Sequence, residues 1–351
     1  MIKIKIGVIL GGMSTENEVS IISGTSVIEH LNKEKYDINP IYISKDGDWF
    51  KVKLEDIQKK DNNGNFVTKF KIMNVMEYLK NMDIIFPVLH GLYGEDGSMQ
   101  GLFELLKIPY VGCKVLASSL GMDKVYTKII FKKAGLNVAD SMYIRKNNDK
   151  YIYIDEKFDE TILDIDEISK IAEKKLKYPI FVKPSNQGSS VGINKAHNKK
   201  ELQKAIIEAS KFDRKILLEE TIIGREVECA VLGNEEVITS CVGEIKAADE
   251  FYSYDAKYRN DKSKTIIPAN ISDELSKKIR ESAVKAFKAI DGKGLSRVDF
   301  FIQDETQKIF INEVNTLPGF TSISMYPKLF EASGISYSDL LDKAINLAKE
   351  N

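Results

Sequence analysis

Arg297-Val-Asp299 and Asn312-Glu313-Val-Asn315 stand on two runs of apolar and β-branched residues, separated by the polar stretch Asp304-Glu-Thr-Gln307. The runs, Ser296–Ile302 and Lys308–Asn315, read as a hairpin. A turn centred near Glu305–Thr306 sets Asp299 roughly opposite Glu313, and strand alternation puts Asn315 on the face of Glu313. Three side-chain oxygen donors then converge, with no cysteine or histidine among them. Such hard donors suit Mg²⁺ that is also held by substrate phosphates, and they do not suit zinc. The competing reading is a solvated strand face with polar residues aligned by chance. Apolar neighbours on both strands favour the metal.

Other segments have the composition of binding loops. Lys183-Pro-Ser-Asn-Gln-Gly-Ser-Ser-Val-Gly192 follows an apolar run and combines a lysine with hydroxyls and glycines. Backbone N–H groups of such a loop can cradle phosphate oxygens while the lysine neutralises charge. It is not a Walker A loop, and no G-x-G-x-x-G fingerprint occurs, which disfavours a dehydrogenase. Read alone, it fits a tight surface loop equally well. Leu217-Leu-Glu219-Glu220-Thr-Ile222-Ile-Gly224-Arg-Glu226 sets carboxylates around a glycine turn, where a purine and its ribose could bind; a solvated acidic turn is the default. The polar stretch 244–263 carries Phe251-Tyr-Ser-Tyr-Asp-Ala-Lys257-Tyr258, aromatics that a lid over a site would explain. His90 opens a loop holding Glu95 and Asp96, whereas His30 and His197 lack such company. Glu16-Asn-Glu18 follows Gly11-Gly12 at a helix start, as helix electrostatics or as a clamp for an ammonium group.

The elements that must carry these groups alternate. Ile4–Leu10 reads as a strand, followed by a helix capped by Ser14 or Thr15 that buries Val19, Ile22 and Val27. Ile38–Ile43 and Met82–Leu89 are further strands, flanking a polar excursion over 44–75 that holds Trp49. Ser98–Leu106 is helical, and this order implies a parallel sheet with ligands at its strand C-terminal ends. A helix near Lys124–Ala134 opens a second unit with strands Ser141–Ile144, Pro179–Lys183 and Lys215–Glu220. The charged stretch Lys146–Glu160 reads as a surface loop, and Ile165–Lys177 and Lys199–Lys211 as helices. A third unit has strands Glu226–Leu232, Glu236–Ile245 and Lys264–Ile267. A helix from Ser272 to about Ile290, the hairpin and a final helix over Tyr337–Lys349 complete it.

Composition narrows the class. The 351 residues allow two or three domains, and 51 basic against 52 acidic side chains leave no basic stripe for nucleic acid. Cys113, Cys229 and Cys241 are odd in number and lie in apolar runs, as expected of a reducing cytoplasm. The opening residues are too short and too alternating for a signal peptide, and no run approaches the roughly 18 apolar residues of a membrane span.

Taken together and in order, these segments resemble the D-alanine–D-alanine ligases of the ATP-grasp superfamily over nearly the whole chain. The stretches that carry the resemblance are Gly11-Gly-Met-Ser-Thr-Glu16-Asn-Glu-Val-Ser20, His90-Gly-Leu-Tyr-Gly-Glu-Asp-Gly97, Met122-Asp-Lys124 and the loop Lys183–Gly192. Ala256-Lys-Tyr258, Arg297-Val-Asp299 and Asn312-Glu-Val-Asn-Thr-Leu-Pro-Gly-Phe-Thr-Ser322 complete the set. The resemblance implies an α/β (α+β overall) three-domain ATP-grasp fold: an N-terminal parallel-sheet domain over 1–121, a central subdomain over 122–220, and a C-terminal subdomain over 221–351 with the lid at 244–263. It implies ATP as substrate with two Mg²⁺ ions, replaceable by Mn²⁺, and a cytoplasmic enzyme of peptidoglycan precursor synthesis, compatible with a homodimer.

Residue by residue, Lys124 and Lys183 match the lysines that hold ATP phosphates. Glu219, Glu220, Ile222 and Glu226 match the adenosine pocket, with Phe251 placed in the ATP set. Asp299, Glu313 and Asn315 match magnesium ligands. Glu16 matches the acid that holds the first D-alanine's ammonium, with Ser189 and Tyr258 as its companions, and His90 falls on the substrate side. Arg297 and the Gly319 N–H correspond to oxyanion-stabilising groups, Ser324 to a group holding the second alanine's carboxylate, and Lys257 to a lid lysine; Met325, next to Ser324, offers an apolar surface that suits a methyl group. Two departures stand out: Asn17 replaces a His or Arg, and the lid lacks the commoner acid-aromatic pattern. The segment Gly319–Pro327 also resembles D-alanine–D-serine ligases, which makes D-serine the alternative second substrate.

Overall fold

A computed structural model describes residues 2–57, 70–246 and 264–350, which build three sheets. The first contains β1 (Ile4–Gly11), β2 (Tyr36–Ile43), β3 (Trp49–Lys51), β4 (Phe70–Lys71) and β5 (Ile84–Pro87), in the order β4-β3-β2-β1-β5. β1 runs parallel to both β2 and β5. Its residues Ile6, Val8, Ile9 and Leu10 are wholly buried, the near-continuous apolar run of a parallel strand covered on both faces. The polar excursion over 44–75 is in part an antiparallel edge, because Trp49 pairs with Ile43.

The first helix spans Asn17–His30 and corrects two expectations. Its N-cap is Glu16, while the Ser14 hydroxyl is held by the His90 carbonyl at 2.6 Å. Ile22 is exposed, because the buried face holds Val19, Ser20, Ser23, Gly24 and Val27. Small residues there let the helix lie close to the sheet: a Cβ on Gly24 would meet the Leu10 side chain at 2.7 Å. Hydrophobicity alone misplaced that face. The Asn17 amide is buried and donates to the Gly12 carbonyl at 2.5 Å and the Ile43 carbonyl at 3.3 Å, tying β1 to β2. Asn17→Ala leaves this tie unmade and should cost about 1–3 kcal/mol in urea unfolding. A loss below ~0.5 kcal/mol would show that the tie is idle.

The second sheet contains β6 (Ser141–Asn147), β7 (Lys150–Ile154), β8 (Glu160–Leu163), β9 (Ile180–Pro184), β10 (Asn194–Ala196) and β11 (Lys215–Glu220), in the order β10-β9-β11-β6-β7-β8. Much of the expected loop over Lys146–Glu160 is therefore strand: β7 pairs with β6 and with β8. Tyr151 and Tyr153 pack into the core of this sheet, an alternation that the flanking charges had masked.

The third sheet contains β12 (Gly224–Gly233), β13 (Val237–Lys246), β14 (Lys264–Ile266), β15 (Leu295–Gln303) and β16 (Ile309–Asn315), in the order β14-β13-β12-β15-β16. The helix Asp273–Ala289 packs on it, capped by the Ser272 hydroxyl. The helices Val115–Met122 and Lys124–Lys133 also lie against this sheet, with Ala117 and Phe131 in one core with Val227, Val298 and Phe300. Sequence reading did not anticipate Val115–Met122 or Met325–Ala332. The final helix, Tyr337–Lys349, returns to the first sheet, where Leu340 and Ala344 share a core with Ile6, Val8 and Leu232. The first and third sheets thereby share one core.

Candidate active site

β15 and β16 place Asp299 opposite Glu313 and Arg297 opposite Asn315, as the hairpin reading requires. A β-bulge achieves it: the register slips between Asp299 and Phe300, leaving Asn312 as the extra residue. The bulge breaks simple alternation, so Ile311 joins the core beside Phe300 while Glu313 lines the cavity. Asp299 is buried, and Arg297 grips both its oxygens at 2.7 Å. The Asn315 amide donates to Asp299 at 2.9 Å, and Glu228, opposite Asp299 on β12, lies 3.0 Å from the Arg297 Nε. Burial alone would lower the Arg297 pKa, but Asp299 and Glu228, with Glu313 beyond, hold it well above its usual value. The guanidinium is a fixed charge.

Among the described residues no three His, Cys, Asp or Glu side chains form a metal cage. Magnesium needs none, since it binds one or two carboxylates together with substrate phosphates. The hard-oxygen character of Asp299, Glu313 and Asn315 fits that mode.

Lys124 and Lys183 line the same cavity as this hairpin. Lys183, at the end of β9, donates to Glu219 of β11 at 2.7 Å. Lys124 reaches the Gln187 carbonyl at 2.6 Å, so it touches the loop after β9. Its helix is anchored by Asp123, which accepts from Val125 N at 3.1 Å, from the Ser185 hydroxyl at 2.8 Å, and from Lys215. Glu220, Ile222 and Glu226 line the same cavity.

On the other wall stands Glu16, buried and accepting a hydrogen bond from the Ser189 hydroxyl. His90 is also buried, with Nδ1 3.2 Å from the Leu317 carbonyl and Nε2 3.1 Å from the Ser23 hydroxyl. Burial would lower its pKa, but Glu95 at 3.7 Å, with Glu16 beyond, raises it overall. Gly319 and Ser324 are neighbours, since a Cβ on Gly319 would meet the Ser324 hydroxyl at 2.7 Å. Met325 lines the cavity but lays its terminal methyl against Gly243. Phe251, Lys257 and Tyr258 lie outside the described residues.

All these walls bound one cavity of about 670 Å³. It unites every expected site residue among those described except Asp299, which sits just behind Arg297. Sequence reading missed Glu228, Lys128 and Ser23. An acid inside the apolar strand Glu226–Leu232, and a lysine one helical turn after Lys124, were available signals for the first two.

Glycines around Glu16 are part of the site. A Cβ on Gly188 would lie 2.7 Å from the Glu16 Oε2, the free end of a side chain, so the carboxylate would move while the fold survives. Gly188→Ala should therefore raise the KM of whatever ammonium ligand Glu16 holds by roughly tenfold, the worth of one charge-assisted hydrogen bond, and leave the KM for nucleotide unchanged. Equal shifts in both constants would show that Glu16 is not displaced.

Two family models account for most of the chain: "D-ala D-ala ligase N-terminus" matches residues 5–113 and "D-ala D-ala ligase C-terminus" matches residues 130–346. The chain belongs to the D-alanine–D-alanine ligase family. These are ATP-dependent ligases. A D-alanine–D-alanine ligase of Acetivibrio thermocellus is 50% identical, over 99% of this chain and 96% of its own length. One of Clostridium acetobutylicum is 47% identical, over 99% of this chain and 98% of its own. Among solved structures, the VanG D-Ala:D-Ser ligase of Enterococcus faecalis superposes with a TM-score of 0.82 at 39% identity, covering 99% of this chain and 100% of that one. The ligase of Coxiella burnetii gives 0.81 at 31% identity, covering 99% and 94%. The mixed α/β architecture of the family, with its three sheets and parallel N-terminal strands, is the one found here. No helix among the described residues is long and apolar enough to cross a membrane.

Proposed function

We propose that this chain joins two D-alanines into D-alanyl-D-alanine, converting ATP to ADP and phosphate, in the cytoplasm as a step toward peptidoglycan. The observation that carries this reading is the single cavity onto which an ammonium-binding acid, two lysines and the Arg297–Glu313 hairpin all open. A tripartite division near 1–121, 122–220 and 221–351 would place the cavity where its parts meet.

Glu16 would hold the first D-alanine by its ammonium, with Ser189 fixing the carboxylate's orientation. Lys124 and Lys183 would take the ATP phosphates, and Glu220, Ile222 and Glu226 the adenosine side. Bound Mg²⁺, one ion or two and replaceable by Mn²⁺, would be held by Asp299, Glu313 and Asn315 and would neutralise phosphate charge. A carboxylate oxygen of the first D-alanine then attacks the γ-phosphorus, giving an acyl phosphate and ADP. The second amine attacks the activated carbonyl, and the tetrahedral intermediate expels phosphate. Arg297 and the Gly319 N–H would stabilise its oxyanion, a term worth roughly a hundred- to a thousandfold for one donor. Ser324 would hold the second substrate's carboxylate beside Met325. The work asked of the protein is mainly positioning and charge neutralisation.

D-Alanine is the expected second substrate, because the relatives of about 50% identity are D-alanine–D-alanine ligases. Equimolar D-alanine, D-serine and D-lactate with ATP, with products resolved by mass spectrometry, tests this directly. D-Alanyl-D-alanine should dominate. An excess of D-alanyl-D-serine would make the chain a D-serine ligase, and ADP release without any amino acid would defeat both readings.

A further inference from the structure

Glu219 is buried between two lysines, and only one of them faces the cavity. Lys183 lines it and donates to the Glu219 Oε2 at 2.7 Å; Lys128, within the helix Lys124–Lys133, donates to Oε1 from behind and does not line the cavity. The exposures of these side chains are 14% for Lys183, 7% for Lys128 and 5% for Glu219. A lone Glu219–Lys183 pair would be neutral, and a neutral pair has no charge to offer an anion. The second lysine leaves the group with one net positive charge.

We propose that Lys128 is a positioning residue for nucleotide binding: as the permanent counter-cation of Glu219, it frees Lys183 to engage the phosphates of ATP. This rests on the ligase reading only in taking ATP as the ligand. With Lys128 present, Glu219 remains compensated when Lys183 turns toward phosphate. Without it, the carboxylate holds Lys183 back and also faces the incoming anion with an unbalanced negative charge, a costly state in a buried site. The charge state of Glu219 agrees with this picture: burial pushes its pKa up, but Lys128 and Lys183 together hold it down to about 2.

The test is calorimetric titration of the β,γ-imido analogue of ATP, with Mg²⁺, into wild type, Lys128→Met, Lys128→Arg and the double variant Lys128→Met/Glu219→Gln. Lys128→Met should bind roughly ten- to a hundredfold more weakly, the range for losing one charged hydrogen bond at a buried group. Lys128→Arg should restore most of the affinity, since the guanidinium keeps the charge. The double variant should also recover most of it, because removing the carboxylate's charge releases Lys183. A purely structural Lys128 predicts the reverse, a double variant no better than Lys128→Met, and that result overturns the proposal. So does wild-type affinity in Lys128→Met. Should Lys128→Met fail to fold, the double variant must fold, and its failure would equally overturn the charge account. Steady-state assays should show a raised KM for ATP with an unchanged KM for D-alanine. If wild type binds nucleotide but makes no dipeptide, the ligase reading falls and the role of Lys128 stands; if it binds none, both fall.

Discussion

Glu313→Gln should lower dipeptide synthesis by roughly a thousandfold, a barrier increase of about 4 kcal/mol. The bulge at Asn312 turns Glu313 from the core side of β16 into the cavity, opposite Asp299. Asp299 already has both oxygens engaged by Arg297 and Asn315. Glu313 is thus the acid of the expected magnesium set that faces the cavity, and its charge is what a cation bridging protein and phosphate requires. The amide is isosteric, so the thermal midpoint should stay within about 4 °C of wild type. Activity within about tenfold of wild type in a folded variant would remove Glu313 from the metal set.

The second large effect is expected for Arg297→Lys. Charge is retained, yet a lysine cannot grip both oxygens of Asp299 and also meet Glu228, as the planar guanidinium does at 2.7, 2.7 and 3.0 Å. Losing that geometry should destabilise the fold by about 2 kcal/mol, the scale of a charged hydrogen bond. Turnover should fall further, by roughly a hundred- to a thousandfold, because a donor to the developing oxyanion would be displaced. A loss confined to stability, with kcat restored in the folded fraction, would make Arg297 a structural counter-ion only.

Much of this site could be read in the residues themselves, and what could not has physical causes. The hairpin pairing of Asp299 with Glu313 followed from turn position and alternation. The bulge that enforces it did not, because an extra residue leaves no mark in hydrophobic pattern. Lys183 and Glu16 announced themselves as charges beside glycine-rich turns, whereas Lys124 was marked by the family resemblance alone. Lys128 and Glu228 gave no such mark, because burial of an ion is decided by partners distant in sequence, here Glu219 and Arg297. The strand Lys150–Ile154 hid behind flanking charges, and the exposure of Ile22 reflects a helix that presents small residues to the sheet. Asn17, a departure from the family pattern, proves to be occupied by two backbone carbonyls and away from the cavity lining.

Activation of one D-alanine's carboxylate by ATP would leave an isotopic trace in the released phosphate. D-Alanine labelled with ¹⁸O in both carboxylate oxygens is turned over with unlabelled ATP, and the released phosphate is analysed by mass spectrometry. Attack of the carboxylate on the γ-phosphorus predicts one labelled oxygen in phosphate for each dipeptide formed. Dipeptide accompanied by unlabelled phosphate would contradict the acyl phosphate route, because the bridging oxygen would then have come from water.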